Sequence, residues 1–171
     1  MFPSSIQSSE HHPYFKTYLD QLEEVPLIEA LANGASETNQ LFRSLPEHIH
    51  EYRYDENKWT PKEILLHLID AERAFYYRAL FIARSDNANL EGFDENTFAK
   101  NSNANERNIS DLLREYNSVR AATINLFESF SEETLKRVGK ANNNTFSVRV
   151  AGFLACGHEI HHQKVIRELY L

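Results

Sequence analysis

Two histidines four residues apart, His158 and His162, form the most chemically suggestive pair in the sequence. On an α-helix this spacing stacks both imidazoles on one face, one turn apart and within reach of a single ion. Ala151, Leu154, Val165 and Leu169 extend that face, so both rings are expected to point into an apolar stripe. Neutral imidazoles buried there without partners would be costly, and a metal supplies the partner. His67 is the natural third ligand, because it lies on another apolar stripe between Ile64 and Ala71. The other candidates, His11, His12, His48 and His50, fall in tails or loops. Three histidines leaving one coordination position open are the pattern of a catalytic rather than a structural site. Imidazole suits zinc, nickel, iron or copper, with zinc or nickel the first expectation for one divalent ion.

The neighbours of the pair are weaker candidates. His161 lies about 100° further round the helix than His162, as a surface or supporting residue, and Cys156 lies about 200° from His158. Cys156 therefore faces away from the ion and reads as a small buried hydrophobe. His158-Glu159-Ile160-His161-His162 also spells H-E-x-x-H, the zinc protease motif. A protease is disfavoured: no histidine follows His162, and Val165 and Glu168 stand where the extended pattern needs glycine and histidine.

The elements that must hold these residues are helices. Leu27, Leu31, Ala35, Thr38, Phe42 and Leu45 recur at three- and four-residue spacing between Pro26 and Pro46, which predicts a first helix. Thr60-Pro61-Lys62-Glu63 reads as an N-cap, a first-turn proline and a capping-box glutamate, opening a second helix that runs to about Arg84. A third helix is predicted from Ser110 to about Phe130, and Ser147 can cap the last, which runs to about Leu169. Ser131 to Leu135 suggests an extra turn and Asn142-Asn143-Asn144 a loop. Residues 1–25 are expected to form an arm or a short helix. Residues 85–108 form a long, asparagine-rich connection in which Leu90, Phe93 and Phe98 can pin the chain to the bundle, as a crossover or as a lid. The expectation is an all-α, single-domain four-helix bundle over residues 1–171, with a long crossover loop between helices two and three.

Composition narrows the function classes. The formal net charge is −7, with no cluster of Lys and Arg, which speaks against a nucleic-acid partner. No apolar run of membrane-spanning length occurs. The polar stretch Met1 to Pro13 lacks the features of a signal peptide, and one cysteine allows no internal disulfide framework. A cytoplasmic protein is expected. Phe75, Tyr76, Tyr77 and Phe81 crowd several sides of the second helix. They point either to a homodimer or to coverage by the arm through Tyr14, Phe15 and Tyr18.

From about Tyr52 onward the chain resembles the DinB-like superfamily of metal-binding four-helix bundles. The likeness is carried by Tyr52-Arg53-Tyr54, Lys58-Trp59-Thr60-Pro61-Lys62-Glu63-Ile64 and His67-Leu68-Ile69-Asp70-Ala71-Glu72-Arg73. Tyr77-Arg78-Ala79-Leu80, Gly92-Phe93-Asp94-Glu95-Asn96, Val119-Arg120-Ala121-Ala122-Thr123 and the terminal histidine run also fit. The resemblance implies an inward metal held by one histidine of helix two and two of the last helix, here His67, His158 and His162. It also implies kinship with transferases that use a low-molecular-weight thiol, and with isomerases.

The expected activity is therefore metal-dependent transfer of a small thiol to a small electrophile, with hydrolysis of a small substrate or a non-enzymatic metal-binding module as alternatives. Asp70, one turn after His67, can orient a ligand or serve as an ordinary ion-pairing carboxylate. Glu159 points about 100° away from its neighbouring ligands, which weakens it as a base. Arg73, Arg78 and Arg120 can anchor an anionic substrate or form intrahelical ion pairs.

Overall fold

Side-chain caps fix the starts of three of the long helices in the computed structural model, which describes residues 1–171. The Thr60 hydroxyl accepts from the Glu63 amide at 3.1 Å while the Glu63 carboxylate accepts from the Thr60 amide at 2.7 Å. This reciprocal pair opens α3, Pro61–Arg84. Asn108 caps α5, Ile109–Glu128, and Ser147 caps α7, Val148–Leu169. The fourth long helix, α2, Leu27–Ser44, follows Pro26 and stops before Pro46. Three shorter α-helices accompany them: α1, Lys16–Leu19, α4, Glu95–Lys100, and α6, Glu132–Leu135. No helix is long and apolar enough to cross a membrane.

The four long helices form the expected all-α bundle, and its order is not simple up-and-down. Both α2 and α3 pack on α5 and on α7, so α2 stands diagonally across from α3, and α5 from α7. The long connection between α3 and α5 joins neighbours; the diagonal steps are the connections before α3 and after α5. Residues 85–108 are more structured than a plain loop, since they contain α4 and the strand β1, Asn89–Leu90.

A small sheet in the order β1-β2-β3 is the element that the sequence reading did not expect. β1 runs parallel to β2, Val138–Ala141, and β2 pairs antiparallel with β3, Asn144–Ser147. The reason is local. Asn142 and Asn143 both take positive φ, 50° and 61°, which makes the two-residue turn that suits the twist of a hairpin. Asparagine tolerates that conformation better than most side chains.

Buried residues fall into two apolar clusters. One gathers Leu31, Ile82, Phe127, Phe146 and Phe153; the other gathers Phe42, Leu65, Ile69, Leu112 and Ile166. Between them, along every long helix, lie buried polar residues: Thr38, His67, Glu72, Arg120, His158, Glu159 and Gln163. The first half of α7 is buried all round, from Val148 to Glu159. Its outer side is covered by the N-terminal arm. Glu10 anchors that arm, accepting hydrogen bonds from Arg149 and Ser147. Phe15 then meets Phe146 edge-on at 5.6 Å, and α1 packs on α7. The arm thus covers α7 and reaches Phe75, while Tyr77, 52% exposed, and Phe81 remain outside it.

Candidate metal centre

α3 brings His67 against α7, where His158 and His162 stack one turn apart. The Nε2 atoms converge: His67 to His158 at 3.0 Å and His162 to His158 at 3.1 Å. Hydrogen bonding alone cannot account for this arrangement. A neutral imidazole nitrogen has one in-plane site, holding either a proton or a lone pair, so His158 Nε2 cannot satisfy both neighbours. A cation receiving three lone pairs can. Two nitrogens bound tetrahedrally at about 2.0–2.1 Å lie about 3.3 Å apart, close to the two spacings at His158, and the three ligand atoms all lie within 4.8 Å of one another. His162 Nδ1 is buried without a partner, so the site gives that ring no acceptor to orient it. Burial, and then electrostatic repulsion from nearby His161, pushes His67 down to about 4. His158 and His162 are pushed well below the ordinary histidine range, first by burial and then by the other histidines around them: His162, His67 and His161 for His158, and His67 and His161 for His162. All three are neutral near pH 7, the form that ligates.

Aromatic rings wall the cluster. The Trp59 ring lies 4.6 Å from that of His67, with the Tyr170 hydroxyl donating to the Trp59 carbonyl. Tyr18 meets His158 edge-on at 5.5 Å, and Phe75 does so at 6.1 Å. Tyr18 reaches this position because Gly157 lets α1 press against α7; a Cβ at Gly157 would collide with the Tyr18 backbone. Two cavities flank the histidines. One of 170 Å³ ends at His158 and is lined by Tyr18, Phe75, Arg78, Phe93 and Glu95 among others. The other, 270 Å³, lies beside Trp59, Lys58, Asn96, His161 and His162. Residues of the 85–108 segment thus line both cavities. Phe93 supplies one wall, and Phe98 packs on it at 4.8 Å with about half its surface exposed.

The other candidates have different places. His161 contacts Tyr18 and lines the second cavity, outside the converging set. Cys156 is buried away from the histidines, and burial pushes its thiol up to about 12, which keeps it protonated and inert. Asp70 pairs with Arg73 at 3.4 Å and makes no hydrogen bond to His67. Arg73 also binds Glu115 at 2.7 Å. Glu159 is fully engaged away from the histidines. Its carboxylate accepts from Thr38 at 2.7 Å, from Tyr116 and from Arg120 at 3.1 Å. Arg120 also grips Glu72 through two bonds of 2.9 Å and donates to the Leu31 carbonyl at 2.6 Å. Its partners are on other helices, not on its own. Sequence reasoning missed this network and the ring walls of Tyr18 and Trp59. Trp59 had a visible signal, standing directly before the capping Thr60 of the helix that carries His67.

The sequence profile of the DinB superfamily matches residues 30–166. The chain belongs to the DinB superfamily. Among solved structures, this superfamily member is similar to YfiT from Bacillus subtilis, described as a probable metal-dependent hydrolase with an unusual four-helix bundle topology. The TM-score is 0.77 at 17% identity, over 86% of this chain and 89% of that one. No curated protein matches the chain in sequence. At that identity the likeness establishes the four-helix bundle fold and leaves activity to the site itself.

Proposed function

We propose that this DinB superfamily member is a divalent-metal enzyme acting on a small molecule, with His67, His158 and His162 as ligands and zinc or nickel as the ion. The observation that carries the reading is the convergence of three neutral Nε2 atoms, 3.0 and 3.1 Å apart, inside a wall of aromatic rings. A divalent ion held by three histidines supplies a Lewis acid with an open position, lowering the pKa of a coordinated thiol or water. The reaction we assign is transfer of a low-molecular-weight thiol to a small electrophile. No carboxylate hydrogen-bonds to the three histidines, and Glu159, next to His158, has both oxygens committed elsewhere. Attack by water gains from a general base, whereas a thiol that has lost its proton is already a strong nucleophile. Tyr18, Phe75 and Trp59 shield the reacting end from water, and the cavity at His158 has the size of a small substrate.

A second reading, metal-dependent hydrolysis of a small substrate, is favoured by the likeness to YfiT. One experiment separates them. Zinc- or nickel-loaded protein is assayed with chlorodinitrobenzene, with and without cysteine, and with nitrophenyl acetate alone. Thiol-dependent consumption of the chloroarene supports transfer; thiol-independent ester cleavage supports hydrolysis. Equal activity in rigorously chelated protein overturns both.

A further inference from the structure

Of the three arginines able to meet an anion, the structure leaves one free. Arg73 is held by Asp70 and Glu115, and Arg120 by Glu72 and Glu159. Arg78 forms no ion pair and no side-chain hydrogen bond, although it is half-buried on α3. Its guanidinium lies instead over the faces of Phe93 and Phe146, at 5.9 and 5.7 Å. This orients the planar group and leaves its N–H donors without a protein acceptor. Arg78 stands eleven residues, about three helical turns, after His67 and so shares its face of α3. It also lines two cavities at once: the 170 Å³ cavity that ends at His158, and an outer one of 660 Å³ bounded by Tyr77, Phe81 and Phe98. Among the lining residues of the inner cavity it is the one Lys or Arg side chain. Glu95 lines the same cavity without reaching ion-pair distance.

A partly desolvated guanidinium that faces a cavity with no ion-pair partner in the protein can receive an anion, because a carboxylate or phosphate supplies the acceptors that the protein does not. We propose that Arg78 anchors the anionic group of the substrate, which is a small molecule with an apolar or aromatic body and a carboxylate or phosphate at the end remote from the histidines. The body lies between Phe75, Phe93 and Tyr18, and the reacting end meets His158. This assignment of substrate class rests on the reading of the three histidines as the reaction centre.

Calorimetric titration of the zinc-loaded full-length protein with phenylacetate, phenylphosphonate and neutral phenylacetamide tests it. At least one of the two anions is expected to bind tenfold or more tightly than the amide, and which of them leads assigns carboxylate or phosphate. Arg78→Met, which keeps an unbranched stem on the two rings, erases the preference, and Arg78→Lys restores part of it. The preference persists in a zinc-free His67→Ala/His158→Ala protein, which excludes direct capture of the anion by the metal. Equal affinity for anions and amide, no binding of any probe, or an undiminished preference in Arg78→Met overturns the anchor. Zinc content of each sample keeps the two readings apart. One zinc per chain without a preference refutes Arg78 alone, whereas an Arg78-dependent preference in wild-type protein that takes up no zinc refutes the metal centre alone.

Discussion

His158 and Glu159 are consecutive on α7 and both are buried, yet they belong to opposite kinds of polar interior. On the Glu159 side, Arg120 directs Nε and both terminal nitrogens at Glu72, Glu159 and the Leu31 carbonyl. Thr38 and Tyr116 complete the Glu159 carboxylate, and Gln163 donates to Thr38 at 2.9 Å. Gly34 leaves the space, since a Cβ there would collide with the Glu159 carboxylate. On the His158 side, three Nε2 atoms compete for partners and His162 Nδ1 has none. Unmet polar groups cost free energy in a buried setting and persist where something other than stability selects them. The first region joins all four long helices; the second joins two of them, α3 and α7, through three histidines that can hold a metal ion.

The largest effect expected from breaking this contrast is at Arg120. Arg120→Met leaves Glu72 and Glu159 buried without a counter-charge and should cost about 3–5 kcal/mol, read from urea unfolding of metal-free protein. Should that variant not fold, Tyr116→Phe withdraws a single donor from Glu159 at a cost of about 1.5–3 kcal/mol. A loss no greater than that of a surface substitution would make the network incidental.

A smaller effect on the fold, with a qualitative effect on binding, is expected at the histidines. Zinc at a hundredfold excess over its dissociation constant should stabilise the wild-type protein by about 2.7 kcal/mol. That increment should vanish in His67→Ala, His158→Ala and His162→Ala, along with stoichiometric zinc by elemental analysis, and should survive in His161→Ala. Unchanged zinc in all three single variants would place the ion elsewhere.

The smallest effect is expected at the edge of the molecule, where Glu10 ties down the arm that carries Tyr18. Burial pushes the Glu10 carboxyl up, but hydrogen bonds from Arg149, the Gln7 amide and Ser147 together hold it below its ordinary value of 4.5. A carboxyl depressed on folding contributes stability that is present above pH 4.5 and is lost as the pH falls through the lower folded value. Acidification below that point should therefore make the arm more susceptible to limited proteolysis, and Glu10→Gln should be susceptible at neutral pH as well. An arm equally resistant in both proteins at every pH would show that Phe15 and α1 hold it unaided.

The contrast also explains what could be read from the sequence. The helix starts at Thr60 and Ser147 were legible because capping is a local pattern of three or four residues. So was the pairing of His158 with His162, which needs only the helical repeat. His67 could be added because its stripe was visible between Ile64 and Ala71. The Glu159 network was not, because its partners are 39 and 121 residues away in sequence, at Arg120 and Thr38, and no local spacing encodes such a meeting. The hairpin was overlooked for a different reason: Asn142-Asn143 is a turn signal, but strands of four residues are too short for alternation to stand out.

The diagonal placement of α2 against α3, and of α5 against α7, has a consequence for how the chain reaches this state. In an up-and-down bundle each helix can zip onto the one just synthesised. Here only α3 and α5, among the long helices, are both successive and adjacent. α2 has no long-helix neighbour until α5 arrives, and both Arg120 and Glu159 must come from distant segments before Thr38 and Leu31 find partners. Loop closure precedes reward, so the search is weighted toward remote contacts and folding is slower than helix content alone would suggest. The α3–α5 hairpin is the natural nucleus, with α7 docking last and bringing the three imidazoles together.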